Sequence, residues 1–242
     1  MTQPAPTPDL QYLVPAALES VATIEGCYPV LAKMELSNDE RTNVAIALLY
    51  GSLEQARSAC FLVAHDVGRS IFGALILLRS QVDQLMRAAF FAGPATAEEL
   101  SFYLGEDELP RRDGNKLGPR SLSRINEAHF GWTPVGRIPN TVDNSWATLS
   151  GMTHGGRALL NYYIGEDGIG AYPPSDEFVE VLTNAVVLTH LAVATALSLA
   201  RNSEADDLQT ALRAWHGAGN AYFCKWASSK LEEKTAPIMG AL

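Results

Sequence analysis

Arg79, Asp83 and Arg87 interrupt the most apolar helix-period stretch of the chain, Ile71–Phe91, at intervals of four. At about 100° per residue they cover only an ~80° arc, which Phe72, Ile76 and Phe90 share. Ser80, Gln81 and Gln84 fall further round, on what reads as the more polar face, with Arg79 deepest on the apolar side and Arg87 bordering the polar one. Burying an unpaired guanidinium costs several kcal/mol or more (~3–5). Asp83 can bridge to either arginine as an i,i+4 pair, but one carboxylate does not neutralise two guanidiniums. The surplus positive charge calls for a bound anion, or for acidic neighbours that use the arginines to fix helix register.

A second polar group is Ser150-Gly151-Met152-Thr153-His154-Gly155-Gly156-Arg157. His154 and Arg157 stand at i,i+3. On a continuing helix they point the same way, and together they can move a proton or bind an anionic oxygen. The glycines imply close backbone approach or a kink. The bland alternative is a core histidine donating to a carbonyl. His65 reads as a helix-junction residue, His190 as a satisfied core residue and His216 as facing a close helix neighbour.

These residues must be positioned by helices. Pro15 and Pro29 break or bend a first segment over Asp9–Met34. Ser37-Asn38-Asp39-Glu40 reads as a capping box opening a helix to His65, and Asp66 as the cap of a second helix to Phe91, stopped by Gly93-Pro94. Thr96–Glu99 is another capping box, for a short helix to Leu104. Residues 105–120 read as a loop, Ser121–His129 as a short helix, Gly131–Pro139 as a loop, and Asn140–Tyr163 as helix interrupted by glycine. After a turn at Gly165–Pro174, Ser175 caps a helix to Arg201, and the last helix spans Glu204–Lys230. No alternating β-branched run with hairpin turns occurs, so little or no strand is expected. The expected fold is all-α: an antiparallel bundle of five or six long helices plus short ones, in one domain over 9–232. Disordered or flexible tails are expected at 1–8 and 233–242.

Composition narrows the function classes. The 242 residues are 47 % hydrophobic and 19 % charged, with a net charge of -9. An acidic body does not attract polyanions over its whole surface, which argues against general DNA or anionic-membrane binding. Three widely spaced cysteines without a CxxC argue against a disulfide framework or zinc knuckle and fit a reducing, cytoplasmic compartment. Val179–Ala200 is the stretch closest to a membrane span, but Glu180, Asn184 and His190 make a buried central helix the better reading. No histidine has Glu three positions before it, so a di-iron carboxylate bundle is excluded. HExxH, Walker A, GxGxxG after a strand and GxSxG are all missing. No metal or cofactor is expected.

The pattern Leu77-Leu78-Arg79-x3-Asp83 followed by Thr153-His154-Gly155-Gly156 resembles a group of uncharacterised bacterial helical proteins, with the likeness covering roughly residues 40–200. Those in turn look distantly similar to HEPN domains, helical bundles that are often dimeric and often metal-independent ribonucleases of toxin–antitoxin and phage-defence systems. The resemblance implies a ribonuclease whose histidine acts on the ribose hydroxyl or leaving oxygen while arginine stabilises phosphate charge. It also implies RNA as substrate and an antitoxin-like protein partner. The family's R-x(4–6)-H motif has one match, Arg124 to His129. A composite site of Arg79, Arg87 and His154, with Asp83 orienting an arginine and Arg157 adding to anion binding, is preferred. The non-enzymatic alternative is a binding or scaffold protein with a small-anion or partner pocket. A homodimer is expected, with Ala214–Ala221 as a close helix contact within or between chains.

Overall fold

The computed structural model describes residues 13–165, 168–169 and 175–226. The expected tails at 1–8 and 233–242 lie outside them, as do the end of the last helix at Lys230 and most of the turn before Ser175. The fold is all-α. Among the described residues run α1 (Leu13–Glu25), α2 (Tyr28–Leu31), α3 (Glu40–Ala92), α4 (Ala97–Glu106), α5 (Pro119–Phe130), α6 (Arg137–Thr153), α7 (Arg157–Tyr163), α8 (Ser175–Leu197) and α9 (Asp206–Trp226).

α3 is a helical hairpin. Asp66, at φ -153° and ψ 63°, leaves the helical region and divides it into arms over 40–65 and 67–92. Contacts between the arms run antiparallel. Arg41 donates to the carbonyls of Phe91 and Ala95 at 2.9 and 2.8 Å, and Ser52 Oγ donates to the Gln81 carbonyl at 3.0 Å. A Cβ on Gly51 would meet the tip of the Gln84 side chain, Oε1 at 2.7 Å, so glycine leaves room for that amide between the arms. The helix break read at Asp66 is therefore correct.

The start of α3 departs from expectation. Asp39, rather than Ser37, is the N-cap, accepting from the Thr42 amide and hydroxyl at 2.8 and 2.9 Å. Thr96 and Glu99 do form the capping box of α4. The segment 105–120 contains a small hairpin, β1 (Arg111–Arg112) with β2 (Asn115–Lys116), and Ile164–Gly165 pairs with Gly168–Ile169 as β3 and β4. Glu99 holds the first hairpin, its two carboxylate oxygens taking Arg112 Nε and Nη2 at 2.7 Å each. α6 begins at Arg137, before the expected Asn140, with Pro139 in its first turn, where no intrahelical N–H partner is required.

α1 and α2 lie against the first arm of α3, with Glu25 pairing Arg57 and Tyr28 stacking on Tyr50. α9 runs antiparallel to α1: Ser20 meets Tyr222 at 2.7 Å, Trp215 donates to the Thr23 carbonyl at 2.8 Å and Lys33 pairs Asp207 at 3.0 Å. Two apolar clusters lie along the α3 hairpin. One gathers Leu49, Leu85, Phe90, Phe91, Leu122 and Leu208; the other gathers Leu13, Ile24, Val63, Leu78, Leu182 and Tyr222. α8 is the buried central helix that its composition predicted, with Leu182, Ala185, Val186 and Ala192 almost wholly covered. No helix of the described residues is long and apolar enough to cross a membrane.

Candidate functional site

The second arm of α3 meets α5 where the Asn126 amide donates to the Met86 carbonyl, α6 where Arg79 reaches Ser150, and α8 where Gln81 reaches Ala185. On its more polar face Gln81 is fully buried, its amide donating to the Ala185 carbonyl of α8 at 3.0 Å while Oε1 has no hydrogen-bond partner among the described residues. Ser80 and Gln84, also on the more polar face, are half-buried.

Arg87 and Asp83 form an i,i+4 ion pair, Nε to Oδ2 at 2.9 Å, each side chain about a quarter exposed. The Nε–H is buried and not aimed well enough for a hydrogen bond, so the link is charge contact rather than a fork. Asp83 is thus committed to Arg87.

Arg79 has no carboxylate partner among the described residues. It is half-buried, its Nε lies 3.3 Å from Ser150 Oγ, and its guanidinium stands over the Trp146 ring at 4.7 Å. Trp146, Ser150 and His154 recur at intervals of four on α6, within an ~80° arc. Ring and hydroxyl take up the planar face and one N–H of the guanidinium, leaving the outer nitrogens without a protein bond among the described residues. A cation–π contact of this kind is worth about 0.5–2 kcal/mol and does not neutralise charge.

His154 is exposed and closes α6 as its C-cap, its amide bonding to the Ser150 carbonyl at 3.0 Å. Gly155 follows at φ +73°, where a side chain would be strained, and the Gly156 amide bonds to the Gly151 carbonyl at 2.6 Å. A Cβ on Gly156 would lie 3.1 Å from the Gly151 backbone. The glycines of this motif therefore build a helix terminus and a close turn. His154 is not the carbonyl-bound core histidine of the bland reading. Arg157 is exposed at the start of α7.

Arg124 and His129 are not brought together. Arg124 forms an ion pair with Asp143 of α6, which Arg120 also approaches at 3.8 Å, while the His129 ring rests on Gly93 after α3. Five residues along a helix amount to about 140° of rotation, so the two face different neighbours.

A second cluster joins α8 and α9. His190 is 7 % exposed, stacks on Trp215 with centroids 4.2 Å apart, and has His216 at 5.4 Å. Its Nδ1 lies 3.0 Å from the Val186 carbonyl, which only accepts, so Nδ1 carries the proton. Nε2 then offers a lone pair that no donor among the described residues meets, pressed against Gly219 where a Cβ would collide with it. Burial pushes His190 down to about 4 and lowers His216 as well. His190 is thus a core residue, as read, but only half satisfied. With Nε2 packed on backbone, the pair leaves no room for a ligand.

Trp146 carries no titratable group, so neither charge nor acid–base chemistry singles it out in the sequence. The four-residue spacing of Trp146, Ser150 and His154 was the available signal. Among the described residues, no group of three or more His, Cys, Asp or Glu side chains is placed to hold a metal. Comparison with protein-family models, curated proteins and solved structures returns no match.

Proposed function

We propose that this helical bundle binds an anionic group at Arg79, on the face where the second arm of α3 meets α6. One observation carries the reading: a half-buried guanidinium, backed by Trp146 and tied to Ser150, that no carboxylate among the described residues neutralises. Arginine presents five donors in a planar fork matched to phosphate or carboxylate oxygens. With Nε on Ser150 and the guanidinium over Trp146, less conformational freedom is left to lose when an anion arrives. Arg157 and His154, exposed beyond Ser150, supply further positive or proton-bearing groups at the end of α6.

Thermal unfolding in inorganic phosphate tests this, against sodium chloride of equal ionic strength. Binding to the folded state raises the melting temperature, by ~2.7 kcal/mol of stabilisation at a hundredfold excess over Kd. Arg79→Met should abolish the phosphate-specific rise and Arg79→Lys should weaken it. An equal rise in wild type and Arg79→Met would refute the site.

A ribonuclease is the second reading, favoured by the exposure of His154 one turn beyond the serine that holds Arg79. In it the anion is an RNA phosphodiester and His154 is the acid or base, within a bacterial toxin or phage-defence system. Cleavage of single-stranded RNA in the presence of a chelator, lost in His154→Ala, is the expected result. Absence of cleavage removes the enzyme and leaves the anion site standing.

A further inference from the structure

We propose that α9 pairs with α9 of a second copy of this chain, antiparallel, about a two-fold axis at the level of residue 216. α9 buries Leu208, Leu212, Trp215, Gly219 and Tyr222 within its own chain. Its flank carries Asp207, Ala211, Ala214, Ala218, Ala221 and Lys225. These recur at steps of 4, 3, 4, 3 and 4, the spacing of a coiled-coil seam, within an ~80° arc. All are exposed except Ala211, which is half-buried, and a Cβ added at the adjacent Gly217 would meet open space. A shallow surface depression lined by Lys33, Asp206, Asp207, Thr210, Ala211 and Ala214 lies beside the first half of this flank.

The order of residues along the flank selects the occupant. A two-fold interface must be self-complementary, with each residue i meeting j while j meets i. Read in opposite directions about residue 216, Asp207 falls opposite Lys225 of the partner subunit, Ala211 opposite Ala221 of the partner subunit, and Ala214 opposite Ala218 of the partner subunit. Both ends then hold opposite charges, about 27 Å apart along the helix, and every position between is alanine. Alanine at the contact allows the closest axial separations, near 8 Å. A parallel pair would instead set Asp207 against Asp207 and Lys225 against Lys225. Within the chain Asp207 pairs with Lys33 and Lys225 with Glu19, all four side chains at least two-fifths exposed. Such surface pairs hold little energy, so both groups are available to a second partner.

This inference is independent of the anion site. It places Gly219, of the expected close-contact segment, inside the chain and the neighbouring alanines between chains.

Sedimentation equilibrium of the full chain at about 0.1 mM in low salt tests it, with circular dichroism confirming the fold of each variant. A monomer–dimer equilibrium that weakens with added salt is expected. Ala218→Glu, and separately Asp207→Lys or Lys225→Asp, should weaken association about tenfold or more, and Asp207→Lys with Lys225→Asp together should restore it. A chain that stays monomeric, or a dimer indifferent to Ala218→Glu, overturns the interface. With Lys33→Glu and Glu19→Lys added, so that no like charges meet within the chain, failure of the exchange to recover association overturns the antiparallel register.

Discussion

Acid should loosen the bundle through His190 before it reaches the carboxylates. His190 is held neutral at about 4 by burial, with the neighbouring His216 opposing its charge further. In the unfolded chain an imidazole titrates near 6.5. Below that value the unfolded state takes up a proton that the folded state refuses, so stability is full above about pH 6.5 and falls as the pH drops toward 4. From linkage, the loss from about pH 7.5 to about pH 5.0 is ~2 kcal/mol, or roughly 4–8 °C in melting temperature for a chain of this size. Glu19, Asp39, Glu99 and Asp207 are lowered by hydrogen bonds and ion pairs, so they hold their charge through this window and do not obscure it. His216 shifts in the same direction and adds to the slope. Urea unfolding at several pH values, in wild type and His190→Asn, isolates the effect. The variant should be less stable at neutral pH, having lost the stack on Trp215, but should show a clearly shallower pH dependence above pH ~5. Equal slopes in the two proteins would refute the reasoning, because the buried lone pair of Nε2 would then have no energetic consequence.

Two further outcomes follow from the same helices. Gly219→Ala should destabilise by about 1–3 kcal/mol despite the better helix former, because the new Cβ overlaps His190, whereas Gly217→Ala, facing open space, should stabilise by up to about 1 kcal/mol; urea midpoints of the two variants decide it. Of the three thiols, Cys27 and Cys60 are buried and pushed up to about 12, and Cys224 is exposed, so a thiol reagent should modify one cysteine quickly in the native protein and all three in denaturant.

The break at Asp66 was legible because a polar residue that favours caps interrupts a helix-period run, and the Thr96–Glu99 box because both of its bonds are local. Asp39 displaced Ser37 as the cap of α3 by a shift of two residues, among several adjacent residues able to serve. The hairpin at 111–116 is not legible in the sequence because it depends on Glu99, twelve or more residues away, gripping Arg112. In the candidate site, the sequence identified surplus positive charge on α3. It did not distinguish which arginine carries the surplus: Asp83 lies four residues from each, and only packing gave it to Arg87.

By itself the sequence determined what local and periodic forces can: helices, their breaks, a buried α8, and arginines on an apolar stretch. Period and propensity act within a few residues, and a charge in an apolar run is unusual wherever the run packs. Only the tertiary structure decided that Gln81 is enclosed by α8 and that Arg79 lies over Trp146 without a carboxylate among the described residues. Those outcomes depend on which helix faces meet, and residues 71 or 104 positions apart in the chain have no local term to bring them together.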